Sequence, residues 1–231
     1  MLLSLSLEIN TARLKQEFSL SKKIQVPQIL PVEQTTAIYQ FLHRHVTFDQ
    51  AFTLNNKAAI LSKDSLNRMT RSEFDSLLSN VYDNASKGIG YWYGRAAESD
   101  MSQSVLGDFN LWLKSKTVLN FIKQVTGQHD VCDCVIQYTR YAAGDFLTRH
   151  KDIGAQGSRK IAFVFHFSPN WHPDWGGLLQ FYHPSGKPKD AWAPEFGSLH
   201  LFDTQHIHAV TTISPFSPAA RYTISGWFIS K

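Results

Sequence analysis

The sequence predicts a mainly β protein with supporting helices, its β part a sandwich or jelly roll. Two observations carry the prediction. From residue 131 onward, short β-type runs at 131–141, 161–167, 178–182, 198–202, 208–213 and 221–229 are separated by turns rich in glycine and proline, among them Gly144, Gly154, Pro169, Gly176, Gly177 and Gly197. Ahead of residue 131 the longer apolar patterns have helical spacing, so helices should pack against a sheet formed by the C-terminal hundred or so residues.

In chain order, 2–9 alternates Leu with polar residues and reads as a strand or ordered arm, and 20–31, with Pro27 and Pro31, as a connecting segment. Residues 33–46 place Ala37, Ile38, Phe41, Leu42 and Val46 on one helical face, with His43 and His45 in a last turn that should face solvent. A strand is expected over 48–54. Thr70 and Glu73 have the spacing of a capping box, opening a helix through Phe74, Leu77, Leu78, Val81 and Tyr82 that stops at Gly88. Tyr91, Trp92 and Tyr93 read as core residues of a strand rather than as a binding platform. Residues 104–125 read as one further long helical region, apolar at Val105, Phe109, Trp112, Leu113, Val118, Ile122 and Val125.

A length of 231 residues with 43% hydrophobic and 13% aromatic content suits one globular domain, 1–130 supplying arm, strands and buttressing helices and 131–231 the core. The net charge of +4 is modest and lacks a clustered basic stripe, which weighs against a nucleic-acid partner. Cys132 and Cys134 read as reduced core residues, which suggests the cytoplasm. The stretch 1–7 is too short for a signal sequence or membrane span, so no membrane partner is expected.

The chemistry concentrates in 138–228. His150 and Asp152, one residue apart, lie on the same side of an extended segment. A second histidine comes later, His206 or His208, which share parity. Two histidines and a carboxylate on one side of an ion, with the other side open, are the ligand set of a non-haem Fe(II) oxygenase. Around them, Tyr138, Tyr141 and Gly144 lead into His150, Arg159 opens a buried strand to Phe167, and Trp175-Gly176-Gly177 precedes Leu178 and Phe181. Gly197, Leu199, Leu201 and Phe202 precede His208, and Arg221-Tyr222-Thr223 leads to Gly226-Trp227-Phe228.

In this order and spacing the chain resembles the Fe(II)/2-oxoglutarate-dependent dioxygenases, in their prolyl 4-hydroxylase-like branch. The resemblance implies a double-stranded β-helix with the metal at one mouth, and His150, Asp152 and His208 as ligands and catalytic centre. His208 is taken over His206 because it sits six residues past Phe202 and precedes Ala209-Val210. It further implies Fe(II), 2-oxoglutarate as cosubstrate, O2, and ascorbate as an accessory. Arg221, permanently charged and able to bind bidentately, would hold the far carboxylate of 2-oxoglutarate, with Thr223 on the same strand face. His166 stands where the family often has a tyrosine facing the cosubstrate. Tyr141 is a candidate pocket donor and Trp227 a candidate wall. His129, His172, His183 and His200 fit loops or outward strand positions.

The activity implied is hydroxylation of a C–H bond, foremost of a prolyl residue in a protein or peptide, with succinate and CO2 formed. A free amino acid or other small metabolite is the alternative substrate. The segments 91–104, after Asp152, and 185–194 are the candidate substrate loops. From other classes, a zinc hydrolase could use the same three ligands but has no use for a buried Arg221, and a non-catalytic metal-binding barrel would be favoured only by a pocket unable to hold iron.

Overall fold

The computed structural model describes residues 2–6, 8–96, 101, 104–154 and 158–230. The stretch 2–6 joins no ladder; Ser6 N–H reaches Ile29 O at 3.0 Å, and Leu3 is buried. Helix α1 (Thr11–Ser21) opens on the Asn10 side chain, which accepts from Arg13 N–H, and ends where Lys22 turns left-handed. Only Leu14 and Phe18 are buried along it, too few to show in the sequence. Strand β1 (Lys23–Val26) comes next, so the expected connector at 20–31 contains a sheet-edge strand, four residues long and stopped by Pro27.

Helix α2 (Val32–His45) lies where its periodicity puts it, although His43 also reaches the Tyr222 hydroxyl at 3.2 Å. Strand β2 (Asp49–Leu54) turns through Asn55 and Asn56, both at positive φ, into an unexpected β3 (Lys57–Leu61). After the short α3 (Lys63–Arg68), the capping box of Thr70 and Glu73 starts α4 (Arg71–Ser86). Strand β4 (Tyr91–Ala96) lies beyond it. The helical stretch expected as one piece is two, α5 (Val105–Leu113) and α6 (Lys116–Thr126). The Ser115 hydroxyl accepts from Val118 N–H and restarts the helix, a cap that apolar periodicity cannot show.

The remaining strands are β5 (Asp133–Tyr141), β6 (Phe146–His150), β7 (Arg159–His166), β8 (Leu179–Tyr182), β9 (Pro188–Trp192), β10 (Leu199–Asp203), β11 (Ile207–Val210) and β12 (Arg221–Ile229). Their antiparallel order is β1-β10-β7-β12-β5-β4-β6-β11-β8-β9. From β5 to β12 the chain passes back and forth between two four-stranded runs, β10-β7-β12-β5 and β6-β11-β8-β9, staying in one run only for the β8–β9 pair, which is the path of a double-stranded β-helix. Strand β4 joins the two runs. Strand β9 begins at a proline, tolerated because this strand is an edge. Cys132 is exposed rather than in the core, Cys134 is buried, and no disulfide joins them. No helix among the described residues is long and apolar enough to cross a membrane.

Parity along the strands divides core from cavity. Ile136, Tyr138, Phe163, Phe165, Ile224 and Phe228 face the helices and pack with Leu42, Phe109, Leu113 and Ile122. Each fully buried apolar side chain of this kind contributes roughly 1.5–3 kcal/mol. The alternate residues face inward.

Gly226 sits in β12 between Ile136 of β5 and Phe163 of β7. A Cβ there would lie 1.8 Å from Val135 O and 2.9 Å from Phe163 Cζ. Gly226→Ala should therefore destabilise the fold by about 3 kcal/mol or more, lowering the melting temperature by roughly 6–12 °C. A thermal melt by circular dichroism within about 2 °C of wild type would show that the ladder yields there at little cost.

The β5–β6 turn carries a buried carboxylate. Asp145 accepts from Ala142 N–H at 2.8 Å, and burial pushes its pKa up to about 7 against that hydrogen bond and the Arg140 charge. Because the folded value stands above the unfolded one of about 3.9, the stabilisation is complete below the unfolded value and is lost as pH rises through about 7. Asp145→Asn should melt above wild type at about pH 8, by about 1–3 kcal/mol, with the gap shrinking toward about pH 5. A gap independent of pH would remove the titration of Asp145 as its cause.

Candidate metal centre and cosubstrate pocket

His150 ends β6, and Asp152 lies two residues later, its N–H held by Thr204 O at 3.2 Å. Strand β11 runs antiparallel beside β6 with His208 directly opposite His150. One ligand atom from each of His150, Asp152 and His208 lies within 4.8 Å of the others. The two imidazole Nε2 atoms stand 3.5 and 3.3 Å from the Asp152 carboxylate oxygens. Their Nδ1 atoms lie 3.0 Å from Thr148 O and His206 O. A carbonyl can only accept, so each Nδ1 carries the proton and each Nε2 presents its lone pair to the centre, the tautomer that a metal requires.

Burial opposes ionisation of Asp152, but the adjoining imidazoles of His150 and His208 outweigh it and hold the carboxyl below its usual range. Burial likewise disfavours a charged His150, while Asp152 draws its pKa upward. The donor set, two neutral nitrogens and one anionic oxygen, suits a divalent cation of intermediate hardness such as Fe(II). His206 lies apart from the cluster. Its Nε2 is 3.1 Å from Ser21 O, and its ring meets Phe181 edge-on.

The cluster opens into a cavity of about 710 Å³ whose walls include Tyr141, Arg221, Thr223 and Trp227. Arg221 is 1% exposed and meets no carboxylate among the described residues. Its guanidinium carbon lies 5.3 Å from the Tyr141 ring centroid, its Nε has no partner, and burial pushes its pKa down to about 10. An uncompensated buried cation costs several kcal/mol, and an anion in the cavity would offset that cost. The Thr223 hydroxyl is hydrogen-bonded to that of Thr139 across the β5–β12 ladder. Tyr141, whose phenol burial pushes well above its usual pKa, stacks on Tyr93. Trp227 keeps a buried, unpartnered Nε1, and Arg159 lies over its ring at 3.6 Å.

His166 does not line the cavity. Its Nε2 lies 3.0 Å from Nδ1 of His200, and both rings are buried. Burial drives His166 well below its usual pKa and His200 down to about 3, so the pair is neutral. His200, expected outward, thus points inward: Leu199 and Leu201 take the helix side, and the alternate residues His200 and Phe202 take the other. Tyr91 and Tyr93, expected in the core, line the cavity, whereas Trp92 packs with Phe52, Val81 and Phe146. Thr139, Arg95, Arg149 and Arg159 are wall residues that sequence reasoning passed over; parity with Tyr141 along β5 marks Thr139. Of the candidate substrate loops, residues 97–100, 102, 103 and 155–157 lie outside the described residues, and 185–194 contains β9.

A family model described as the 2OG-Fe(II) oxygenase superfamily matches residues 136–229. No curated protein matches. Among solved structures, a Pseudomonas putida prolyl-4-hydroxylase superposes with a TM-score of 0.63 at 16% identity, covering 96% of this chain and 100% of that one. A Trichoplax adhaerens prolyl hydroxylase, in complex with a hypoxia inducible factor oxygen degradation domain peptide fragment, superposes at 0.64 and 16% identity, covering 95% and 89%. An oxidoreductase of the 2OG-Fe(II) oxygenase family from Burkholderia pseudomallei gives 0.64 at 11% identity, covering 96% and 92%. Likeness at such identities is likeness of fold.

Proposed function

We propose that this chain, whose residues 136–229 match the 2OG-Fe(II) oxygenase superfamily and whose fold is that of prolyl 4-hydroxylases, is a member of that superfamily that hydroxylates a prolyl residue of a protein or peptide. The observation that carries the cosubstrate part of this reading is the buried Arg221, which meets no carboxylate among the described residues, in one cavity with His150, Asp152 and His208. His150, Asp152 and His208 would hold Fe(II). The chemistry supplied by the bound ion would be reduction of O2 coupled to decarboxylation of 2-oxoglutarate to succinate and CO2, one oxygen atom reaching the substrate C–H bond.

The chain's own residues prepare that site. The two histidines keep Nε2 lone pairs inward because their Nδ1 protons are committed to backbone carbonyls. Arg221 offers a permanent charge to the far carboxylate of 2-oxoglutarate, and Thr223 and Thr139 add hydroxyls beside it. Phe202, Leu179 and Val164 give the cavity apolar walls that limit water. The prolyl substrate is supported by the two hydroxylase neighbours, one bound to a peptide. O2 is the co-reactant in this proposal, ascorbate an auxiliary reductant, and the cytoplasm the compartment.

The test is anaerobic titration of the apoprotein with Fe(II) and then 2-oxoglutarate. A weak visible charge-transfer band from the chelated 2-oxoacid is expected. Metal binding without that band would favour a zinc hydrolase or a non-catalytic barrel instead.

A further inference from the structure

Among the described residues, four arginines line the cavity, Arg95, Arg149, Arg159 and Arg221, against one carboxylate, Asp152. With Fe(II) and 2-oxoglutarate bound, the charges of the divalent ion, the dianionic cosubstrate, Asp152 and Arg221 would cancel. Arg95, Arg149 and Arg159 are left over. None of the three meets a carboxylate among the described residues, whereas Arg13, Arg71 and Lys87 elsewhere on the surface each pair with an acid four residues away.

Two of the three are held in place. Arg159 lies over the Trp227 ring, and its stem runs against Gly154, where a Cβ would come within 2.7 Å of Arg159 Cγ. Arg149, exposed, has its guanidinium carbon 5.5 Å from the Tyr182 ring centroid and Nη1 3.5 Å from Gly186 O. A guanidinium held on an aromatic face loses little freedom on binding and keeps its N–H edge for an anion. Arg95 is exposed on β4, beside Thr139 of β5.

We infer that the cavity mouth selects a substrate with clustered carboxylates, namely an acidic segment of polypeptide around the residue that is hydroxylated. This rests on the hydroxylase reading. An extended chain has somewhere to run, because the cavity continues into a second groove past Gly88, Thr148 and Arg149, along the edge of β11. A nucleic-acid strand would require cations spaced along its backbone, but these three line a single cavity, and the lysine of the second groove, Lys87, is paired with Asp83.

The experiment uses two labelled peptides of equal length, each with a central proline, one flanked by four glutamates and the other by four glutamines. Binding to the anaerobic Fe(II)–2-oxoglutarate protein is monitored by fluorescence anisotropy. The glutamate peptide should bind at least about tenfold tighter at about 20 mM salt, the advantage shrinking toward about 200 mM as screening sets in. In an Arg149→Gln, Arg159→Gln double variant that melts like wild type, the advantage should fall to about twofold or less. Equal affinities, or no binding by the glutamate peptide, overturn the inference. Tighter binding by a single-stranded oligonucleotide of equal charge overturns the polypeptide assignment. The charge-transfer band of the wild-type protein, read in the same samples, reports separately on the hydroxylase reading.

Discussion

Replacing Arg221 by alanine is expected to raise the 2-oxoglutarate concentration needed for half-saturation by roughly 150-fold, while moving the Fe(II) requirement by less than about threefold. The first figure corresponds to about 3 kcal/mol, the usual loss when one partner of a buried, hydrogen-bonded charge pair is truncated. The asymmetry comes from position. Arg221 lies on β12, away from β6 and β11, and touches Tyr141 rather than any metal-ligand candidate. Stability should move the other way. In the absence of cosubstrate the guanidinium is buried with an unpartnered Nε, so a shape-matched Arg221→Met should melt no lower than wild type. Wild type should then gain stability on adding 2-oxoglutarate, and the variant should not. Thermal melts with and without 2-oxoglutarate, beside the anaerobic titration, provide the check. Equal losses of Fe(II) and 2-oxoglutarate binding would sink the role assigned to Arg221.

The second large effect separates two histidines of the same strand region. His208→Ala should lower metal affinity by about 100-fold or more, since it removes one of three ligands and leaves Asp152 with one imidazole neighbour in place of two. His206→Ala should keep metal affinity within about threefold and cost about 1 kcal/mol of stability, through its bond to Ser21 O and its contact with Phe181. Calorimetric titration with Fe(II) under nitrogen, or with a redox-inert divalent ion, reads both. The reverse ranking would make His206 the ligand and would require β11 to shift.

Much of this was legible in the residues. Period-two alternation along β5, β7 and β12 sorts helix-facing from inward-facing positions, because a pleated strand leaves each side chain only two directions. The spacing of Thr70 and Glu73 is a local hydrogen-bond geometry and needed nothing distant to be seen. His150 and Asp152, one residue apart, announce a shared site for the same reason, and the run from Arg221 to Phe228 carries the family resemblance.

Parity, however, names a side and never a partner. His206 stands in the bend before β11, where the end of α1, 185 residues away in sequence, offers it the Ser21 carbonyl, whereas His208 lies within β11 opposite His150. His166 and His200 meet because β7 and β10 are neighbours, and His166 commits its Nε2 to that contact. Tyr91 and Tyr93 enter the wall because β4 bridges the two runs of the β-helix, a place its own six residues do not encode. The short edge strands β1 and β9 exist because β10 and β8 present open backbone to them. Local geometry depends on neighbours in the chain and can be read there. Which groups end up adjacent, and that Arg221 meets no acid among the described residues, depends on segments brought together from across the chain.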